Sequence, residues 1–150
     1  MRIEEINGDE AIYMRRTGQY GEENYELMCK MKAWSNERGL LTDDAVLFGI
    51  ALDNPQFTKP SECRYDVCLL ASSAKDIAAE DQVETRNLCR GKYAVFTINH
   101  PKDAVTDFWK SFPTEMANNG VKIDFSRPIM ERYSVKMVSN GFCEMCVPIV

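Results

Sequence analysis

Hydrophobic residues along this chain follow two periods, one typical of helices and one typical of strands. Within residues 22–38, Leu27, Met31 and Trp34 fall at positions i, i+4 and i+7 and form one apolar stripe, which predicts an amphipathic helix. A second helix is predicted to open after Pro101, and its apolar positions are Val105, Phe108, Trp109 and Phe112. Shorter apolar runs predict strands over residues 10–17, 45–52, 64–71, 83–89, 92–99, 129–137 and 142–149.

Proline, glycine and asparagine mark where several of these elements end. Pro113 interrupts the second helical pattern, and we expect it to begin a short further helical piece that ends at residues 118–120. Small polar residues predict a surface connection over residues 72–82. Asn140-Gly141 separates the last two predicted strands and is typical of a two-residue hairpin turn.

The order of the predicted elements repeats within the chain. Residues 10–71 contain strand, helix, strand and strand, and residues 92–149 contain the same series, with the strand at 83–89 between them. Two such units can pair their sheets edge to edge and leave a cleft on the pseudo-twofold axis. We therefore predict a single α+β domain over residues 1–150, with a mostly antiparallel sheet, two main helices and a central cleft.

The net charge of the chain limits the classes of molecule that it is expected to bind. Its 150 residues include 23 acidic and 18 basic ones, which gives a net charge of −5 and opposes attraction to phosphate backbones. No apolar run approaches the roughly 20 residues that span a bilayer. Residues 1–5 include acidic side chains where a signal peptide would be apolar. We therefore expect a cytoplasmic protein that binds neither membranes nor, directly, nucleic acid.

The residues that usually hold metals or cofactors are poorly arranged. Cys143 and Cys146 form a C-x-x-C within a predicted strand, where residues three apart face opposite ways, and His100 is the only histidine. We expect all six cysteines to be free thiols, with no metal site and no cofactor. Phosphate-binding, dinucleotide-binding, serine-hydrolase and zinc-protease motifs are absent from the sequence. Binding is therefore a better expectation than catalysis.

Two glutamates on the last two strands are the leading candidates for a site. With Asn140-Gly141 as a two-residue turn, Met137 lies opposite Glu144, whereas a wider loop could place Glu131 opposite Glu144. In both registers the two carboxylates point to the same side of the sheet, together with Tyr133. They could serve as a solvated surface, pair with neighbouring arginines, or neutralise a bound cation.

Aromatic residues could cover the apolar body of such a cation, because ring faces attract positive charge. Each could equally belong to the hydrophobic core, and the tryptophans lie on apolar helix stripes, which favours the core for them. The aromatic candidates for the binding site are Tyr20, Trp34, Phe48, Tyr65, Trp109 and Tyr133.

The chain resembles the GyrI-like proteins, the group of DNA gyrase inhibitors and effector-binding domains, over essentially its full length. The order and spacing of several short segments together carry this resemblance. These segments lie at residues 16–20, 33–34, 52–55, 63–67, 90–95, 108–109, 128–133 and 144–149.

The resemblance implies the same duplicated fold and a central cleft that takes lipophilic, often cationic molecules. It also implies that glutamates matching Glu131 and Glu144 help to form the pocket in drug-sensing regulators. Cys146 stands where the family often has an aromatic residue, so ring stacking at that position is a point of difference. The chain resembles the stand-alone form of the family rather than the form fused to a DNA-binding segment.

Three functions from different classes follow from this resemblance. The first is binding or sequestering of a small lipophilic cation, in drug or toxin response or in transcriptional regulation. The second is inhibition of DNA gyrase through contact with that enzyme. The third is hydrolysis of an electrophilic small molecule, with Glu131 or Glu144 as general base. Binding is ranked first.

Overall fold

The elements follow one another along the chain as two copies of the predicted unit of strand, helix, strand and strand. The computed structural model describes residues 1–71, 82–99 and 102–150, and for residues 102 and 103 it describes the backbone alone. The strands are β1 (Arg2–Ile6), β2 (Glu10–Thr17), β3 (Val46–Ala51), β4 (Arg64–Leu70), β5 (Glu84–Asn87), β6 (Gly91–Asn99), β7 (Met130–Ser134) and β8 (Phe142–Pro148). The helices are α1 (Glu22–Glu37), α2 (Lys102–Asn118) and α3 (Val135–Ser139), and a 3₁₀ turn covers Pro60–Glu62.

The strands form one antiparallel sheet in the order β1-β6-β8-β7-β3-β4-β2-β5. Its middle is symmetric, because β3, β4 and β2 of the first unit mirror β7, β8 and β6 of the second. The two units meet where β3 pairs with β7. The outer strands are exchanged: β1 precedes β2 but pairs with β6, and β5 precedes β6 but pairs with β2. The predicted duplicated α+β fold is confirmed.

Both long helices cover the same face of the sheet, one over each unit. α1 packs Met28, Met31 and Trp34 onto the first unit, and α2 packs Phe108 and Met116 onto the second. One row of paired residues crosses six strands on this face. The row is Met14, Val67, Gly49, Glu131, Met145 and Phe96. Its outer members are buried apolar side chains, whereas its two central members are a glycine and a carboxylate. The groove between the helices therefore lies above Gly49 and Glu131.

The opposite face of the sheet carries its own hydrophobic cluster. Its side chains alternate with those of the helix-covered face along each strand. The buried members are Ile6, Ala11, Phe48, Ile50, Cys68, Leu88, Tyr93, Val95, Met130 and Cys146. The central strands are therefore buried on both sides.

Two predicted elements at the end of the chain are wrong. The strand predicted over residues 129–137 stops at Ser134, and α3 follows it. Ser134 caps this helix, since its hydroxyl accepts a hydrogen bond from the Met137 backbone N–H at 3.1 Å. Asn140-Gly141 therefore ends a helix rather than forming a two-residue hairpin turn, and Gly141 adopts a positive φ of 83°.

Pro113 does not interrupt α2, which runs on to Asn118. The proline removes one backbone hydrogen bond, to the carbonyl of Trp109. Phe112 and Met116 nevertheless continue the apolar stripe across it and pack on the sheet, which offsets that loss. A strand that sequence reasoning missed is β1, a short run with only one buried residue, Ile6.

Some expectations concern parts of the chain that the structure leaves undescribed. The surface connection predicted over residues 72–82 lies outside the described residues except for Gln82, and so does His100. Within the described ranges, no helix has the length and apolar character needed to cross a membrane.

Candidate functional site

The two candidate glutamates lie on opposite faces of the sheet, which contradicts the predicted arrangement. Glu131 pairs with Met145, and Arg132 pairs with Glu144. Residues directly opposite each other on paired strands share a face, so Glu131 faces the helices and Glu144 faces away from them. A site that unites the two carboxylates is therefore excluded.

The length of the connection explains this error. A two-residue turn would have paired odd-numbered positions of β7 with even-numbered positions of β8. The observed connection, residues 135–141, contains an odd number of residues because α3 is inserted into it. Even-numbered positions of β7 therefore pair with even-numbered positions of β8. Compared with the predicted register, the side chains of one strand point to the opposite face of the sheet relative to those of its partner strand.

Glu144 is instead the centre of a buried ionic cluster. Its Oε1 accepts hydrogen bonds from Arg132, at 3.0 Å from Nε, and its Oε2 accepts one from Arg2. Arg132 also donates to both oxygens of Glu4, at 3.0 and 2.8 Å. Burial and these arginines leave Glu144 only 4% exposed. Two arginines balance two glutamates, so this cluster offers no unmatched charge to a ligand.

Asp66 has a similar environment in the first unit. It is fully buried on the same face as Glu144 and accepts hydrogen bonds from Arg15 at 2.6 and 2.9 Å and from Arg86 at 2.6 Å. Each unit thus holds one buried carboxylate between two arginines on the face away from the helices. The arginines offset the cost of burying each carboxylate.

A cavity of about 670 Å³ occupies the groove between α1 and α2. Its floor is formed by β4 and β7, and its walls by the two helices. The lining residues are Gly21, Glu22, Asn24, Tyr25, Met28, Lys32, Tyr65, Val105, Thr106, Trp109, Glu131 and Tyr133. This volume is in the range of pockets that hold drug-sized molecules.

Glu131 is the acidic group at the floor of this cavity. Its Oε2 accepts a hydrogen bond from the Tyr133 hydroxyl, two residues along the same strand. Burial raises the pKa of the Glu131 carboxyl above 4.5, and the tyrosine hydrogen bond opposes this only in part. No ion pair among the described residues includes Glu131. The cavity floor therefore carries a carboxylate that no cation of the described part of the chain neutralises.

Tyr65 lies beside Glu131 because Gly49 leaves space for it. A Cβ atom at Gly49 would overlap the Tyr65 hydroxyl oxygen and would lie 3.1 Å from its Cζ and 3.5 Å from the Glu131 carboxyl carbon. Burial, followed by the nearby Glu131 charge, raises the pKa of Tyr65 well above its usual value, so the phenol stays neutral. Tyr65 can therefore donate a hydrogen bond near the carboxylate.

Tyr20 supports this arrangement from outside the cavity. Its ring meets Tyr65 edge to face, with centroids 6.4 Å apart. Its hydroxyl donates to the backbone oxygen of Arg64 at 2.7 Å and accepts from the Asp53 backbone N–H at 3.1 Å. Tyr20 is thus a positioning residue for Tyr65 and does not line the cavity.

The other predicted aromatic residues divide between wall, core and opposite face. Trp109 lines the cavity and is 39% exposed. Trp34 is 5% exposed in the core under α1, with the Arg38 guanidinium 4.1 Å from its ring centre. Phe48 and Cys146 belong to the hydrophobic cluster on the face away from the helices. Even-numbered positions of β3 and β8 point to that face, so neither residue can reach the cavity.

Sequence reasoning missed the part of the cavity that α1 provides. Tyr25, Met28 and Lys32 lie at i, i+3 and i+7 and form a stripe next to the apolar one that was recognised. Because this stripe mixes aromatic, apolar and charged residues, it lacks a hydrophobic signal. Its helical spacing is the only sign that could have indicated it.

The cavity can surround an apolar molecule and neutralise a positive charge on it. Rings of Tyr25, Tyr65, Trp109 and Tyr133 supply apolar area, and Glu131 supplies the charge. Metal chemistry has no comparable basis: among the described residues, no group of three or more His, Cys, Asp or Glu side chains could hold an ion. The Cys143 thiol, on the same face of the sheet as Glu131, is protonated at neutral pH, since burial raises its pKa to about 11.

An α+β domain with duplicated units and a ligand-sized cleft between its two helices defines a class of small-molecule binding domains. The sequence matches the family described as GyrI-like small molecule binding domain over residues 1–150. The chain belongs to this family.

Known relatives share the whole length of the chain. It is 38% identical over 148 residues to the SPbeta prophage-derived putative transcriptional regulator YosT of Bacillus subtilis (strain 168), covering 98% of this chain and 97% of that protein. It is also similar to the structure of SAV2435 bound to tetraphenylphosphonium, with a TM-score of 0.67, 14% identity and coverage of 99% of this chain and 93% of the other.

A third relative is larger than this chain. The structure of an EcmrR–DNA complex in EcmrR-RPo has a TM-score of 0.72 and 15% identity, and the match covers 99% of this chain and 56% of that one. At these identities the two structural matches show a shared fold.

Proposed function

We propose that the protein binds lipophilic cations in the cavity between α1 and α2. Glu131 acts as the counter-ion, and the rings of Tyr65, Tyr133 and Trp109 cover the apolar body of the ligand. One observation supports this most directly: the floor of an aromatic-lined cavity carries a carboxylate that no described cation pairs. Desolvating an unpaired carboxylate is costly, and a cationic guest relieves that cost.

The relatives favour the same ligand class and a role in regulation. SAV2435 has been solved with tetraphenylphosphonium, a lipophilic cation, and YosT carries the description of a transcriptional regulator. The net charge of −5 opposes direct contact with DNA. We therefore propose that this protein senses or sequesters its ligand and reaches DNA, where it does so, through another protein.

Two ions of the same shape and opposite charge test the binding proposal. Tetraphenylphosphonium is expected to raise the melting temperature, because a ligand that binds only the folded state stabilises it. Tetraphenylborate is expected to cause little or no rise. Glu131→Gln should remove most of the tetraphenylphosphonium effect, whereas Glu26→Gln, on the exposed side of α1, should retain it. Equal shifts with both ions, or full binding by Glu131→Gln, would refute the proposal.

A hydrolytic function is the second candidate, and the Glu131–Tyr133 pair is the observation that favours it. A carboxyl whose pKa is raised by burial is a suitable general base near neutral pH, and the tyrosine hydroxyl could stabilise developing negative charge. The test is turnover of an electrophilic cyclopropane substrate. Activity must disappear in Glu131→Gln and persist in Glu26→Gln; absence of turnover leaves binding as the function.

Inhibition of DNA gyrase stays a prediction from the family resemblance, and no described residue adds to it. A supercoiling assay with purified protein decides this question. Absence of inhibition at a large molar excess over gyrase excludes direct action.

A further inference from the structure

A second charged group faces the same cavity from the wall that α1 forms. Lys32 lies one turn after Met28 on α1, and its side chain lines the cavity. The ammonium nitrogen of Lys32 is 6.0 Å from the centre of the Tyr133 ring, the ring whose hydroxyl binds Glu131. The lysine therefore occupies a ring face that a bound cation would otherwise use.

Neither Lys32 nor Glu131 takes part in an ion pair with any described residue. Their charged atoms are thus more than 4.0 Å apart although both face one cavity. The buried carboxylates on the other face, Glu144 and Asp66, are each held by two arginines. Unlike these two carboxylates, Glu131 has no cationic partner among the described residues.

These two charges make different demands on a ligand. A simple lipophilic cation gains from Glu131 but is repelled by Lys32 and competes with it for the Tyr133 ring. A molecule that also carries an anionic group turns the repulsion into attraction when that group reaches Lys32. Groups that repel the wrong ligand are a usual source of specificity.

We propose that the preferred ligand is amphoteric, with a cationic centre near Glu131 and an anionic group near Lys32 on one rigid aromatic body. This inference rests on the proposed function, since it keeps Glu131 as the counter-ion of the cation. Glu22, at the first turn of α1, also lines the cavity. Lys32 is then the residue that separates amphoteric ligands from simple cations.

Three xanthene dyes of closely similar shape test this inference. Rhodamine B carries both a cationic xanthene and a carboxylate, its ethyl ester keeps the cation and lacks the carboxylate, and fluorescein keeps the carboxylate and lacks the cation. Rhodamine B is expected to bind about tenfold more tightly than its ester, as measured by fluorescence anisotropy, since a hydrogen bond to a charged group contributes about that much. Fluorescein should bind more weakly than rhodamine B.

Variants of Lys32 and Glu131 test the amphoteric ligand separately from the cation site on which this inference rests. Lys32→Met should reduce the preference for rhodamine B over its ester to about onefold, and Lys30→Met, on the same helix outside the cavity lining, should keep it. Glu131→Gln should weaken both rhodamines. If the wild type binds both equally, or binds the ester more tightly, the amphoteric ligand is refuted while the cation site stands. If neither rhodamine nor tetraphenylphosphonium binds, both proposals fall.

Discussion

Gly49 and Glu131 are paired across the boundary between the two units. Because Gly49 has no side chain, the Tyr65 ring has space to lie next to Glu131. The Tyr65 hydroxyl lies where the Cβ atom of any other residue at position 49 would be. Gly49 has no unusual backbone conformation that would demand glycine. Its role is therefore steric: it lets a neutral phenol lie next to the Glu131 carboxyl on the cavity floor.

Gly49→Ala should displace the Tyr65 ring and weaken cation binding. Overpacking at a buried position commonly destabilises a protein by about 1–3 kcal/mol, and that range is expected here. Denaturant unfolding and titration with tetraphenylphosphonium measure the two effects. The same substitution in a Tyr65→Phe background should cost less, because the overlapping oxygen is absent. Additive effects of the two substitutions would contradict this steric account.

Glu144→Gln should destabilise the fold and leave ligand affinity unchanged. The substitution removes a charge that Arg2 and Arg132 share, and breaking a buried ion pair costs about 3 kcal/mol. Glu144 faces away from the cavity, so the affinity for tetraphenylphosphonium should match the wild type under conditions where the variant is folded. Loss of affinity in a folded variant would mean that the two faces of the sheet are coupled.

Most of the architecture could be predicted from the sequence because the patterns that indicate its helices and strands are local. Alternating and helical spacings located α1, α2 and most strands, and the repeated order of elements indicated the duplicated sheet. β1 escaped notice because only Ile6 is buried along it, which leaves no alternation to detect. β1 pairs with β6, and its Arg2 binds Glu144. Both contacts join residues that are far apart in the sequence.

The candidate site was harder to predict. It depends on whether the connection between β7 and β8 contains an odd or an even number of residues. Glu131, Tyr133, Tyr65 and Trp109 do line one cavity. Glu144 does not, because Ser134 starts a helical turn where a continuous strand was expected, and a change of one residue in loop length reverses the face of every partner. The spacing of hydrophobic residues does not show whether a connection has an odd or an even number of residues. This error could therefore not be avoided from the sequence pattern alone.

The two tryptophans should respond in opposite ways to substitution by alanine. Trp34 is buried in the core under α1, so Trp34→Ala should lower the free energy of unfolding by about 3–5 kcal/mol. Trp109 is partly exposed on the cavity wall, so Trp109→Ala should cost about 1 kcal/mol of stability but weaken tetraphenylphosphonium binding about tenfold. Equal loss of affinity in both variants would show that the cavity wall has been assigned to the wrong tryptophan.

Binding of a lipophilic cation should strengthen as pH rises through the raised pKa of Glu131. Below that pKa the carboxyl is neutral and offers no charge, whereas above it the carboxylate is ionised and affinity levels off. Neighbouring Tyr65, Tyr133 and Cys143 have raised pKa values and stay neutral over this range. Because the bound cation favours ionisation, the pKa of Glu131 should be lower in the complex than in the free protein, and binding should release protons at pH values between the two. Calorimetry from about pH 5 to about pH 8, in buffers of different ionisation enthalpy, measures both effects. Glu131→Gln should bind weakly and independently of pH; an unchanged pH profile in that variant would assign the titration to another group.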